Sequence, residues 1–137
     1  MSQEPTIEKI CVYGIGGGGG YFGSKIAYAI NEGAGKEYKS YFIARGAHLE
    51  AIKRDGIKVV SPERTLVGKP NQATDDISQI PDPDLILICV KSYDLDNVVK
   101  SIEPKIKEKT VIIPLLNGAD IYDRIRANLS SGIVLPA

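Results

Sequence analysis

Cys11-Val12-Tyr13-Gly14-Ile15-Gly16-Gly17-Gly18-Gly19-Gly20-Tyr21-Phe22-Gly23 decides the fold. The apolar run 10–13 is the body of an expected buried strand over 9–13, which stops at glycine and restarts as a helix-like pattern. Gly14-x-Gly16-x-x-Gly19 then falls directly after a strand and opens a helix, the context a dinucleotide fingerprint requires. Gly14 permits the tight turn out of the strand. Gly16 lets a pyrophosphate approach the backbone, and Gly19 lets the helix lie close to the sheet. The free N–H groups at the helix start face the phosphates. A second register, Gly18-x-Gly20-x-x-Gly23, also fits. The first is preferred because the strand ends at Tyr13. Gly19, Gly23 and Ala27 recur at i, i+4 and i+8 as a small-residue stripe, with Phe22, Ile26 and Ile30 on the same broad face. A phosphate-binding P-loop would need Gly-Lys-Ser/Thr, and Gly23-Ser24-Lys25 breaks it.

Outward from this stretch, strands alternate with helices. A second strand is expected over 41–44 and a short helix over 47–54, with Leu49 and Ile52 facing in. A third strand over 57–61 and a short return strand over 65–67 follow, then a polar loop over 68–76. The run Leu85-Ile86-Leu87-Ile88-Cys89-Val90 is the strongest strand, apolar throughout as in a parallel sheet buried on both faces. A helix over 94–102 turns Val98, Val99 and Ile102 to the sheet. A strand over 110–116 places Pro114 at an unpaired or near-edge position. A helix over 119–129 and the start of a last strand at 133–135 complete the pattern. The fold class is therefore α/β, a Rossmann-type doubly wound, mostly parallel sheet. The order 3-2-1-4-5-6 sets the first strand beside the Leu85 strand and opens a crevice at their carboxyl ends.

The 137 residues suit one domain with a core, and 43% hydrophobic with 25% charged residues is ordinary for a globular protein. Lys plus Arg and Asp plus Glu balance at 17 each, which gives no support to nucleic-acid or membrane-surface binding. No apolar run approaches the ~20 residues of a membrane helix, and the N-terminus lacks the features of a signal peptide. Cys11 and Cys89 lie in apolar runs and read as buried thiols of a cytoplasmic protein, with no disulfide and no metal site. The sole histidine, His48, reads as a surface or helix-start residue.

Four features fall at the crevice: the glycines, Arg45 after the second strand, Lys91 after the Leu85 strand, and Asn117 after the Thr110 strand. NAD-binding domains usually carry an acid where Arg45 stands. A guanidinium suits a 2′-phosphate, which it grips with paired charged hydrogen bonds. The alternative is a solvated arginine. Lys91 is either a donor to cofactor or substrate oxygens or a lysine snorkelling from the sheet rim. Asn117-Gly118 is either a turn pair with a helix cap or an amide working between the nicotinamide ribose and substrate.

Gly14-Ile15-Gly16-Gly17-Gly18-Gly19-Gly20-Tyr21-Phe22-Gly23 resembles the opening of the ketopantoate reductases (2-dehydropantoate 2-reductases). Phe42-Ile43-Ala44-Arg45-Gly46-Ala47-His48-Leu49 resembles that family's second strand with its NADP-selecting arginine. Val90-Lys91-Ser92 and Leu116-Asn117-Gly118 resemble its later signatures. The resemblance implies NADPH-dependent reduction of 2-dehydropantoate to pantoate, in pantothenate and coenzyme A biosynthesis. It implies a cofactor site of Gly14, Ile15, Gly16, Gly17, Gly18, Gly19, Arg45, Lys91 and Asn117. Lys91 would lie by the nicotinamide, and Asn117 would also touch the small 2-keto acid substrate. Gly17-Gly18 departs from the family, which often has alanine and a larger apolar residue there; the loop should be looser. Family members continue into a helical second domain with the catalytic lysine and a substrate-binding glutamate. No residue of this chain matches that lysine, so no catalytic residue is assigned. The expectation is a chain truncated before that domain, binding cofactor without turnover, with an exposed face open to self-association, a homo-oligomer being one outcome. Two rivals stay open: another NADP-dependent 2-keto-acid reductase, and a non-catalytic nucleotide-sensing Rossmann module. Sensing modules typically bind NAD with an acid after the second strand, and Arg45 stands against one.

Overall fold

Strand β1, Lys9–Tyr13, lies at the centre of a parallel sheet because its neighbours are apolar on both sides. It pairs with β2 (Lys39–Ile43) along one edge and with β6 (Leu85–Ile88) along the other. The computed structural model of the chain describes residues 6–14, 18–33, 37–60 and 62–135. Within them the sheet is six-stranded, and β5 (Gln72–Thr74), β7 (Val111–Pro114) and β8 (Ile133–Val134) complete it in the order β5-β2-β1-β6-β7-β8. Every pairing in it is parallel. The helices are α1 (Gly18–Asn31), α2 (Gly46–Asp55), α3 (Leu95–Ile102) and α4 (Ile121–Asn128). The expected Rossmann-type architecture is the one observed.

The two sheet faces make two cores. Cys11, Tyr41, Ile43, Ile86, Ile88 and Ile112 meet Leu95, Val98, Val99 and Ile102 of α3 and Ile121 and Ile125 of α4. Val12, Phe42 and Leu87, one residue out of phase, meet Ala27 of α1 and Ile52 of α2. Strand alternation explains the split. Burying each of the fully enclosed isoleucines contributes roughly 1.5–3 kcal/mol.

Three expectations are corrected. The third strand of the chain, β3 (Ile57–Val60), does not enter the main sheet. It pairs antiparallel with β4 (Thr65–Gly68) as a separate hairpin lying against α1. The third place in the sheet goes to Gln72–Thr74, within the stretch expected to be a loop. Its pairing with β2, Tyr41 opposite Gln72 to Ile43 opposite Thr74, makes it a strand despite its polar sequence. Phe22 is exposed, with Ile26 and Ile30 half-buried, whereas Gly23, Ser24 and Ala27 are buried. The hairpin is the reason. Gly68 presses on the Ser24 carbonyl, and a Cβ there would also stand 3.0 Å from the Ala27 methyl, so α1 turns its small residues inward.

Boundaries shift elsewhere. β2 begins two residues before the expected start, β6 stops at Ile88, and a 3-10 turn, Ser92–Asp94, precedes α3. Pro114 ends β7. The Leu115 N–H reaches the Ile88 carbonyl, so by alternation the Pro114 nitrogen faces β8, whose pairing covers Val111 and Ile112 alone. Asp84 fastens the start of the sheet, its carboxylate accepting from the Glu8 and Lys9 N–H groups at 3.0 and 2.9 Å. No helix among the described residues is long and apolar enough to cross a membrane.

Candidate cofactor-binding site

A cavity of about 810 Å³ opens along the carboxyl ends of β2, β1, β6 and β7. This is the crevice that a strand-order reversal creates: β1 leads on to β2 on one side, and the chain returns to β6 on the other. Its size lies within the usual range for a small-molecule site.

The floor is main chain. Ala44 N–H donates to Thr74 O at 3.0 Å, Gly14 N–H to Ile43 O at 2.9 Å, Cys89 N–H to Tyr13 O at 2.8 Å and Leu115 N–H to Ile88 O at 2.7 Å. These bonds join five strands in succession. Gly14 leaves β1 with φ +90°, a conformation that glycine adopts without strain. A Cβ there would stand 2.8 Å from Val90 Cγ1 and 2.9 Å from the Cys89 carbonyl oxygen, so the turn needs glycine twice over. Helix α1 has begun by Gly18, with Gly19 in its first turn, where the register Gly14-x-Gly16-x-x-Gly19 puts the helix start. Ile15, Gly16 and Gly17 lie outside the described residues.

Gly14, Arg45, Lys91 and Asn117 all line this cavity, each just beyond the carboxyl end of a different strand. Arg45 is the extended residue that caps α2 from outside, and its side chain makes no capping hydrogen bond. Lys91 stands just before the 3-10 turn, and its neighbour Ser92 is held by Arg124 of α4. Arg45, Lys91 and Asn117 are exposed, and among the described residues their side chains hold no hydrogen bond or ion pair. Two cationic groups and an amide are thus free to meet a polyanionic ligand. This donor set fits a dinucleotide: backbone approach at Gly14, a guanidinium fork at one end, an ammonium and an amide at the other.

The sequence reading missed several lining residues. His48 does stand in the first turn of α2, and it also faces the cleft. The usable signal was its spacing three residues after Arg45. Asp75, after β5, was hidden because β5 itself was not foreseen. Asp94 and Asn97 join from the start of α3. Cys89, expected to be buried, is only half-buried because β6 ends one residue earlier, and it lines the cavity. Partial burial pushes its thiol up to about 11, so it stays protonated at neutral pH. Tyr13 also lines the cavity, from the α3 side of the sheet, its hydroxyl 3.0 Å from Ser101 Oγ on α3.

The model of the ketopantoate reductase PanE/ApbA family matches residues 10–137. The chain belongs to this family. It is 41% identical to the solved 2-dehydropantoate 2-reductase of Porphyromonas gingivalis W83, with a TM-score of 0.86 over 96% of this chain and 46% of that one. A 2-dehydropantoate 2-reductase of Mesorhizobium japonicum is 29% identical over 110 residues, 80% of this chain and 32% of the relative. The structure is also similar, at TM-score 0.71 and 25% identity over 92% of this chain and 39% of that one, to a D-mandelate dehydrogenase solved with NADH and anilino(oxo)acetate. The chain spans less than half the length of each of these proteins. The ketopantoate reductases are oxidoreductases acting with a nicotinamide cofactor.

Proposed function

We propose that this chain is the cofactor-binding part of an NADPH-dependent reductase of 2-keto acids, with 2-dehydropantoate as the foremost substrate. One observation carries the reading: Gly14, Arg45, Lys91 and Asn117 share a single cleft at the strand-order reversal. In this reading Gly14, Ile15, Gly16, Gly17, Gly18 and Gly19 hold the pyrophosphate. Arg45 would hold the 2′-phosphate through its guanidinium. Lys91 lies beside the nicotinamide, and Asn117 bridges the nicotinamide ribose and the keto acid. The bound nicotinamide supplies the hydride. Lys91 and Asn117 would orient the ring toward the keto acid, and the backbone N–H groups of the glycine turn would hold the diphosphate.

Reduction of a ketone also needs a proton donor at the carbonyl oxygen. No residue of this chain matches the family's catalytic lysine, so the chain alone binds cofactor without turnover, and a further helical domain supplies the donor in the whole enzyme. A reductase of another 2-keto acid is the second reading, favoured by the likeness to D-mandelate dehydrogenase.

The deciding experiment is a calorimetric titration of NADPH and NADH into the chain and into Arg45→Ala. NADPH should bind more tightly, and the variant should lose about ten- to a hundredfold in NADPH affinity while keeping its affinity for NADH. Equal affinities in the unaltered chain would overturn the choice of cofactor. Measurable NADPH oxidation with 2-dehydropantoate would overturn the assignment of the proton donor to another domain.

A further inference from the structure

We propose that His48 is a second ligand of the cofactor's 2′-phosphate, sharing with Arg45 the selection of the phosphorylated cofactor. This rests on the reading of Arg45 given above and extends it to a residue whose role the family motifs did not suggest.

Arg45 stands at the N-cap of α2, and His48 is three residues on. A side chain at this third helical position turns back over the N-cap residue, as in a capping box. Arg45 and His48 are therefore neighbours at the helix start, and both line the cleft. Among the described residues the imidazole has no internal hydrogen-bond partner, so its N–H groups are free for a ligand.

Charge at this end of the cleft calls for such a donor. Asp75 lines the same cavity as Arg45, and it stands level with Ala44, the residue before Arg45, since Ala44 and Asp75 each follow directly on the paired residues Ile43 and Thr74. The guanidinium and this carboxylate cancel formally. A phosphate monoester brought there meets one cationic fork and one opposing anion. The fork engages two of its three terminal oxygens, and the third needs another donor. An imidazole supplies one N–H when neutral and two when protonated, so His48 can serve that oxygen in either state.

The test is a paired titration of NADPH and NADH into the chain, His48→Ala, His48→Gln and Arg45→Ala. In His48→Ala the NADPH dissociation constant should rise about tenfold, while that of NADH stays within about twofold. Unchanged NADH binding also reports that the variant is folded. His48→Gln, which keeps an N–H donor, should restore part of the loss. Equal weakening of both cofactors would overturn the proposal, because the ring would then touch a part they share. No weakening of NADPH in His48→Ala, with the expected loss in Arg45→Ala, would overturn the role of His48 alone. No loss in Arg45→Ala would overturn the phosphate site itself.

Discussion

The Arg124 guanidinium donates to the Ser92 carbonyl oxygen at 2.7 Å, and its Nη2 also lies 3.4 Å from Asp96 Oδ1. Helix α4 thereby fixes the turn that carries Lys91, the residue before Ser92. The Arg124 side chain touches the turn, not the cleft. Arg124→Met should lower thermal stability by about 3–5 °C, the equivalent of ~1 kcal/mol in a domain of this size. It should weaken NADPH and NADH by the same small factor, about threefold. Scanning calorimetry and titration on one preparation would check both.

Lys91 is expected to serve the part of the cofactor that NADPH and NADH have in common. Lys91→Ala should therefore weaken both by about tenfold, in contrast to Arg45→Ala. Selective loss of NADPH would place the ammonium at the 2′-phosphate instead.

Gly14 and Gly33 both have positive φ, +90° and +82°, yet only Gly14 is crowded. Gly14→Ala combines backbone strain with overlap against Val90 and the Cys89 carbonyl, and should cost about 2–4 kcal/mol. Gly33→Ala meets nothing within 4 Å and should cost only about 1–2 kcal/mol. Urea midpoints would separate them. Equal losses would mean that crowding at the cleft floor contributes nothing.

Asp82 lies 3.3 Å from Lys105 Nζ and 3.1 Å from Lys107 Nζ. Hydrogen bonds from Lys107 and Lys105 hold its carboxyl below the usual carboxylate range. A carboxyl lowered on folding stabilises the native state above its unfolded value of about 3.9, and that contribution fades as pH falls through the lower native value. The urea midpoint of Asp82→Asn should thus fall short of the parent's at pH 7, and the gap should close in strong acid. A gap constant with pH would show that the lysines do not act through this charge.

Strands with an internal signal were legible. Lys9–Tyr13 was read at both ends, because an apolar run meets a glycine that can only turn. The Leu85 strand was read from its unbroken apolar face. Gln72–Thr74 had no such signal: an alanine between two polar residues became a strand because the edge of β2 was open to it. The strand at 57–60 and its return strand at 65–67 were legible, but nothing local says that the pair lies on top of α1 instead of joining the sheet. That choice rests on the fit of Gly68 against Ser24 and Ala27, some forty positions away along the chain. Phe22 was misjudged for the same cause.

The cleft was readable because ligands gather where parallel strands end and their order reverses. Gly14, Arg45, Lys91 and Asn117 each follow such an end, so a strand assignment was enough to group them. His48 and Asp75 needed more. The first is visible only once α2 is seen to start at Gly46, and the second only once β5 exists.

The row of amide-to-carbonyl bonds from Thr74 to Leu115 uses the backbone alone. The platform under the ligand is therefore indifferent to which side chains rise from its rim. If Arg45 and His48 hold the 2′-phosphate as proposed, coenzyme preference would be a surface trait of α2's first turn, and the scaffold beneath would carry a new choice unaltered.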